Sequence, residues 1–325
     1  MVTGATGFIG RVLTCELVEA GYETVALSRQ CSKEGCAPHT KREMVGTAHP
    51  TIGNNIKVVQ WDAVTPSGWA TYADDAYAVV NLAGENLAAV RWTKKKMQRI
   101  LNSRLNSTKA IVSAVESVKS KPQVIIQISA IGYYGDRGDE ILSENSSAGV
   151  GFLPDVCRQL EQAIQPIEAL GVRLITVRIA VVLGAGGGLI SHVLPAFRFF
   201  VGGHPGNGRQ WFSWIHIEDV AGAIRFLIEN EKLQGTFNLS VANPVLSKQF
   251  YKMLGKVMHR PSIFPMPAFI LKLIMGKMAN EMLLCSQRVL PIKLLQAGYR
   301  FKYLDVECAL EDIIKKAITG CKAAG

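Results

Sequence analysis

The chain has 325 residues, 48% of them apolar and 19% charged, and its 36 Lys and Arg stand against 26 Asp and Glu for a formal charge of +10. This composition fits a globular protein with a large core, and its length divides into one large unit, residues 1–238, and a smaller one, residues 239–325. No apolar run reaches the roughly 20 uncharged residues of a membrane span, because the best candidate, residues 263–275, contains Pro265, Pro267 and Lys272. The seven cysteines are scattered without a disulfide framework, which points to a reducing, cytoplasmic setting.

In chain order the first feature is Thr3-Gly4-Ala5-Thr6-Gly7-Phe8-Ile9-Gly10, whose glycine spacing makes a phosphate-binding turn opening a helix. Gly4 permits the tight turn, Gly7 lets the backbone approach a pyrophosphate, and Gly10 lets the helix lie close to the first strand. Residues 8–20 read as that helix, with Val12, Leu13, Leu17 and Val18 on one face and Gly21 ending it. Residues 23–28 alternate as the second strand and lead into Ser28-Arg29, a hydroxyl and a guanidinium suited to a ribose 2′-phosphate. An acidic side chain there would hold a free 2′-hydroxyl, so the pair favours NADP over NAD. The pattern resembles the extended short-chain dehydrogenase/reductase superfamily. Only Met1 and Val2 precede Thr3, so either the chain starts late or its central strand is short.

Residues 30–55 show no sustained periodicity and read as a surface loop. Cys31, Cys36, His39 and His49 within it match no structural zinc spacing, and no metal is expected. Residues 56–61 form a third strand ending at Asp62, which either accepts from an adenine amino group, as in extended reductases, or caps a turn. Residues 76–82 read as a buried strand. Asn81-Leu82-Ala83-Gly84 resembles the superfamily's fourth-strand motif, where small residues let ribose and pyrophosphate pass close. Residues 93–118 read as a long helix carrying Lys94, Lys95, Lys96, Arg99, Arg104 and Lys109, with Ser103 and Arg104 placed to reach the cofactor. Without interleaved aromatics or a nucleic-acid motif these cations read as a solvated face near an anionic cofactor, so no nucleic-acid partner is expected.

Residues 124–129 form a fifth strand and lead into Ser129-Ala130-Ile131-Gly132-Tyr133-Tyr134-Gly135. At the carboxyl end of a parallel strand, Ser129 is placed to hold a substrate oxygen and Tyr133 or Tyr134 to move a proton; otherwise Ser129 caps a turn and the phenols pack. The superfamily places a tyrosine, and a lysine four residues later, on the next helix. Aligned on Ser129 and Glu161, those positions hold Leu153 and Cys157, so the usual proton relay is missing, and Cys157 reads as a small core residue. Residues 172–183 read as one unbroken sixth strand, residues 184–188 as a flexible glycine turn, and residues 189–200 as a helix. Residues 202–219 crowd aromatic and polar groups into a candidate substrate-pocket wall: Trp211 and Trp214 for flat apolar area, Arg209, Gln210 and His216 for orientation. His216 reads as structural, in a turn before a helix over residues 220–230.

Together, Thr-Gly-Ala-Thr-Gly-Phe-Ile-Gly, Asn-Leu-Ala-Gly-Glu-Asn, Ser-Ala-Ile-Gly-Tyr-Tyr-Gly and Gly-Arg-Gln-Trp-Phe-Ser-Trp-Ile-His-Ile-Glu-Asp resemble the atypical reductases labelled epimerase-family or cell-division-inhibitor-like proteins, over nearly the whole chain. The resemblance implies NADP bound through Ser28, Arg29, Leu82, Ala83 and Arg104, with Val182 after the sixth strand. It also implies a small C-terminal domain of unassigned function over residues 239–318, including Leu283-Leu284-Cys285-Ser286-Gln287-Arg288-Val289-Leu290-Pro291. That part reads as short helices: one capped by Ser247, one running from Pro267 to Gly276 and one capped by Asp305. The expected fold is a doubly wound parallel Rossmann sheet with a mainly helical C-terminal lobe over its carboxyl edge. The leading functional expectation is an NADP-dependent oxidoreductase acting on a small carbonyl or hydroxyl compound. The alternatives are an NADP-binding regulator without turnover and a nucleoside-diphosphate-sugar epimerase. Neither a membrane nor a nucleic-acid partner is expected.

Overall fold

The computed structural model describes residues 1–29, 55–87 and 91–322. The loop expected over residues 30–55, with Cys31, Cys36, His39 and His49, lies outside the described residues except for Asn55. In chain order the elements of the first half are β1 (Val2–Thr3), α1 (Phe8–Glu19), β2 (Thr24–Ser28), β3 (Ile56–Gln60), β4 (Ala78–Asn81), α2 (Lys94–Ser117), β5 (Val124–Ala130), β6 (Ile141–Leu142), α3 (Phe152–Ile164) and α4 (Pro166–Ala169). There follow β7 (Arg173–Ile179), β8 (Val181–Leu183), α5 (Gly188–Arg198), β9 (Trp211–Phe212), β10 (Trp214–His216), α6 (Ile217–Glu229), β11 (Gly235–Leu239), β12 (Val245–Leu246), α7 (Ser247–Met258), α8 (Ala268–Met275), β13 (Arg288–Val289), α9 (Ile292–Gln296) and α10 (Val306–Lys322).

A seven-stranded sheet ordered β3-β2-β1-β4-β5-β7-β11 carries the fold, and every pairing in it is parallel. The order reverses at β1, which sits between β2 and β4, so the crevice beyond its carboxyl end lies at a topological switch point. β1 is short, but Met1 extends its hydrogen bonding: the amino group donates to Ala78 O, and Val80 N donates to Met1 O.

Helices cover both faces, as buried apolar strands require. Leu13 and Leu17 of α1 join Val220, Ile224 and Leu227 of α6 in one core, and Ala110, Ile111, Ala114 and Val115 of α2 join Trp61, Trp69 and Ile164 in the other. A third core unites Leu183, Leu194, Phe197 and Trp214 with Phe250, Leu254, Leu310 and Ile313, so it draws on residues from both sides of position 238. Ser247, expected as a cap, is instead the first residue of α7, with Leu246 at the cap position and Gln249 Oε1 accepting from Leu246 N. The starts of α2 and α10 are capped by side chains. Thr93 Oγ1 accepts from Lys96 N at α2, and Asp305 Oδ1 accepts from Glu307 N and Cys308 N at α10.

Three further local expectations need correction. The single strand read over residues 172–183 is two strands: at Ala180 the chain leaves the main sheet, and β8 pairs with β10 in a separate parallel ladder. An unbroken β-branched run cannot reveal where a strand changes partner. The glycine run 184–188 is not an open turn but a seat for the Phe8 ring. A Cβ added at Gly187 would lie 2.4 Å from Phe8 Cδ2, one at Gly188 2.9 Å from Cε1, and one at Gly184 3.0 Å from Cζ. Finally, α6 begins at Ile217, with His216 as its cap residue, so Glu218 and Asp219 form its first turn instead of a loop before it.

Candidate functional site

The glycine turn after β1 has the expected geometry. Gly4 adopts φ +65° and a Cβ there would meet Leu82 C and O at 3.0 Å, while one at Gly10 would meet Gly4 O at 2.2 Å. Gly7 N donates to Gly4 O at 2.9 Å, and Gly7 caps α1 without a side-chain partner. The first amides of α1 therefore face the crevice with the positive end of a helix dipole behind them.

The fourth-strand loop is held beside this turn by a buried polar network. Thr3 Oγ1 donates to Asn81 Oδ1 at 2.7 Å and accepts from Leu82 N and Ala83 N. Asn81 Nδ2 donates to Gln127 Oε1 and Thr108 Oγ1. Each of these groups is buried or at a strand end, so the gap between the two loops is rigidly set.

A cavity of about 290 Å³ occupies that gap. Gly4, Thr6 and Gly7 form one side, Ser28, Arg29 and Asp62 a second, and Leu82, Ala83 and Gly84 a third. Leu27, Trp61, Ala63, Val64, Ser103 and Asn106 complete the lining. Trp61 was legible only as a strand residue, and Asn106 only as the neighbour of Ser103 one helical turn on. Phe8, Ile9, Gly10, Arg104 and Val182 stand behind the lining. Phe8 packs into the glycine seat, Ile9 and Val182 pack on the core beneath the sheet, and Gly10 allows the turn to close on the helix.

Arg104 lies beneath Gly84, where a Cβ would come within 3.1 Å of its Cζ. Its Nη1 donates to Glu85 O and Ile100 O, and no carboxylate among the described residues forms an ion pair with it. Burial pushes its guanidinium pKa down. Nearby Glu85 is taken by Lys96 and Arg99. Arg104 thus holds a cationic charge under the fourth-strand loop, where an anion is favoured. Asp62 acts as a turn cap: Oδ1 accepts from Val64 N and Thr65 N and Oδ2 from Thr65 Oγ1. These hydrogen bonds hold its carboxyl below the usual range, so an adenine contact would have to share oxygens already engaged.

At the carboxyl end of β5 the side chains form a closed set. Ser129 Oγ donates to Glu161 Oε1 at 2.7 Å. Arg178 grips the same carboxylate with Nε and Nη2, at 3.0 and 2.7 Å, and all three groups are largely buried. Tyr134 is fully buried; its hydroxyl donates to Asn238 Oδ1 and accepts from Arg178 Nη1. Burial raises its phenol pKa. The expectation that Tyr134 serves as a proton carrier is therefore corrected: with no solvent access and both hydrogen-bonding roles filled, it is a core residue. Tyr133 is half-buried, and Arg178 Cζ lies 3.4 Å over its ring. Leu153 and Cys157 occupy the places of the usual tyrosine and lysine. Both are buried, the thiol donates to Ala130 O, and burial pushes its pKa up to about 11.

The expected pocket wall is largely interior. Trp214 is fully buried in the third core, so it is not a wall; apolar composition alone does not distinguish a pocket lining from packing. Gln210 Nε2 donates to Pro205 O and Leu283 O, tying the stretch to the C-terminal part. Trp211 donates to Asp139 Oδ1 with Arg288 over its ring, and Arg209 is exposed. His216 Nδ1 accepts from Glu218 N. Its Nε2 is 3.3 Å from Asp312 Oδ2 but lacks hydrogen-bond alignment. Burial pushes the imidazole down to about 4, so at neutral pH the contact is not an ion pair.

The C-terminal segment closes over this end. Glu281 accepts from Phe152 N and Leu153 N, capping α3. Gln287 Nε2 donates to Ile131 O and Gly135 O, clamping the loop after β5.

Residues 1–240 match the model of the NAD dependent epimerase/dehydratase family. The chain belongs to that family. Residues 266–313 match a second model, a domain of unknown function (DUF1731). Among curated members, the chain is 37% identical over 316 residues to epimerase family protein YfhF of Bacillus subtilis, covering 96% of this chain and 97% of that protein. It is 35% identical to the chloroplastic epimerase family protein SDR39U1 homolog of Arabidopsis thaliana, over 97% and 86%. The crystal structure of human epimerase family protein SDR39U1 (isoform2) with NADPH superposes with a TM-score of 0.82 at 29% identity, covering 97% of this chain and 98% of that one. UDP-N-acetylglucosamine 4-epimerase from Bacillus cereus, at 16% identity and a TM-score of 0.74, shares the fold. Among the described residues, no helix of this family member is long and apolar enough to cross a membrane.

Proposed function

We propose that the chain binds NADP(H) in the cavity at the β1 switch point and acts as an NADP-dependent oxidoreductase on a small carbonyl or hydroxyl compound, in the cytoplasm. The observation that carries this reading is that Ser28 and Arg29 line the same cavity as the glycine turn. The α1 amides would take the pyrophosphate and the Ser28-Arg29 pair the 2′-phosphate. The bound nicotinamide supplies hydride chemistry. The NADPH in the human relative supports the choice of dinucleotide.

A second reading, a binder of NADP(H) that does not turn over, is favoured by one observation: the Ser129 hydroxyl is committed to Glu161 and its expected tyrosine and lysine partners are Leu153 and Cys157. Sugar-nucleotide epimerisation needs a base on each face of a bound sugar, and at this end of the sheet the Tyr134 phenol and the Glu161 carboxylate are both held by Arg178.

Titration of NADPH and NADH against wild type and Arg29→Ala tests the binding. Arg29→Ala is expected to weaken NADPH by about tenfold and leave NADH unchanged; equal affinity of the wild type for both nucleotides would refute the assignment. Nicotinamide absorbance followed across a carbonyl library then separates the two readings. Oxidation of NADPH that Ser129→Ala abolishes supports the enzyme; tight binding without oxidation supports the second reading.

A further inference from the structure

One face of the molecule is built against the usual pattern of a surface. Helix α8 reads Ala-Phe-Ile-Leu-Lys-Leu-Ile-Met, with Lys272 its lone polar side chain and Leu271 its lone buried one. Phe269, Leu273 and Ile274 are 71%, 73% and 59% exposed. A surface helix ordinarily turns charges outward; this one turns hydrocarbon outward. Just before it, Ile263, Phe264 and Met266 are exposed, as are Phe199, Phe200 and Val201 after α5.

These segments form one surface. Gly202 bridges to Ser262 and Pro205 to Met266; Phe264 N donates to Gly202 O and Met266 N to His204 O. The far end of α8 is anchored inward, where Met275 and Met278 pack with Trp92 and Phe152. The charge is one-sided as well. Residues 169–217 and 232–280, which supply the whole face, contain no Asp or Glu, whereas Arg198, Arg260, Lys272 and Lys277 are exposed within or beside it. The Arg260 guanidinium lies 4.5 Å over the Phe200 ring, a cation seated on the apolar patch itself.

We infer that this face docks on an anionic lipid bilayer, with α8 lying in the headgroup plane. Phe269, Leu273 and Ile274 enter the acyl boundary while Lys272, Lys277, Arg198 and Arg260 meet lipid phosphates. An extended apolar patch of this kind marks an interaction site. A second copy of the chain would bring the same cations against themselves, which like-charge repulsion opposes. The expectation of no membrane partner rested on the lack of a spanning segment, and lying on a bilayer requires none.

The test is sedimentation of the full chain with vesicles of phosphatidylcholine alone and with equimolar phosphatidylcholine and phosphatidylserine. Binding to the anionic vesicles only is expected, weakening with salt. The Phe269→Glu/Leu273→Glu variant should bind about tenfold or more weakly with an unchanged thermal midpoint, and Lys272→Glu/Lys277→Glu should lose the preference for phosphatidylserine. Equal binding to both vesicle types, or none to either, overturns the inference. So does a dimer in sedimentation velocity that the Glu variants convert to monomer.

Discussion

Glu161 shows how much of the site rests on single residues. Its carboxylate accepts from Ser129 and from two nitrogens of Arg178, in a setting largely closed to water. Glu161→Gln leaves a buried guanidinium without its countercharge and is expected to cost about 3 kcal/mol, read as a lower urea midpoint with an unchanged slope. The sequence placed Ser28, Arg29 and Leu82 at strand ends facing a dinucleotide, because strand ends and glycine spacing are local signals. It did not separate Tyr133 from Tyr134. Which of two adjacent phenols points inward depends on Arg178 and Asn238, distant in the chain and joined to them only by the sheet. Thr3 and Asn81 were missed for the same reason: their role is a bond across two strands.

At the scale of elements, the βαβ unit opening the chain is the most demanding. An added methyl at Gly10 would sit 2.2 Å from Gly4 O, against backbone that has no rotamer to change. Gly10→Ala should therefore cost about 1–3 kcal/mol and weaken NADPH binding in step, measurable by thermal unfolding with and without nucleotide. Helices were legible from their ends, since Thr93, Asp305, Pro267 and Gly276 act through neighbours within a turn. The break between β7 and β8 was not legible. Both halves are apolar, and the break follows from Val181 N turning to Ser213 O once Ala180 N has bonded Leu239 O. Likewise, five residues holding four glycines looked like loose chain because the ring that fills them comes from Phe8, at the other end of the domain.

For the whole molecule, α6 and α10 meet through charge. Burial alone pushes Glu218 up, but Lys302 and Lys316 outweigh it and hold the carboxyl down at about 2, from an ordinary 4.5. His216, buried beside it, is pushed down to about 4 from 6.5. Both groups therefore bind protons more readily in the unfolded chain, and stability must fall as pH falls. The His216 contribution is complete above 6.5 and lost toward 4; that of Glu218 is complete above 4.5 and lost toward 2. Thermal midpoints taken between pH 7 and 4 should decline, and His216→Asn, which keeps an acceptor for Glu218 N, should flatten the decline. The parallel sheet was readable from alternating strand and helix patterns, while the order of its strands comes from the pairing itself. The closing role of Glu281 and Gln287 was not, because polar side chains in a short-helix region carry no sign of the distant amides and carbonyls they bind.

The seat around Phe8 has a consequence away from the cavity. The aromatic ring starts the same helix whose first amides face a pyrophosphate, and the loop wrapped round it joins β8 to α5. Nucleotide that steadies the start of α1 must also quiet that distant crossover, although no atom of it lines the cavity. Slower deuterium uptake across residues 184–190 on adding NADPH, absent in Phe8→Ala, would record the transmission.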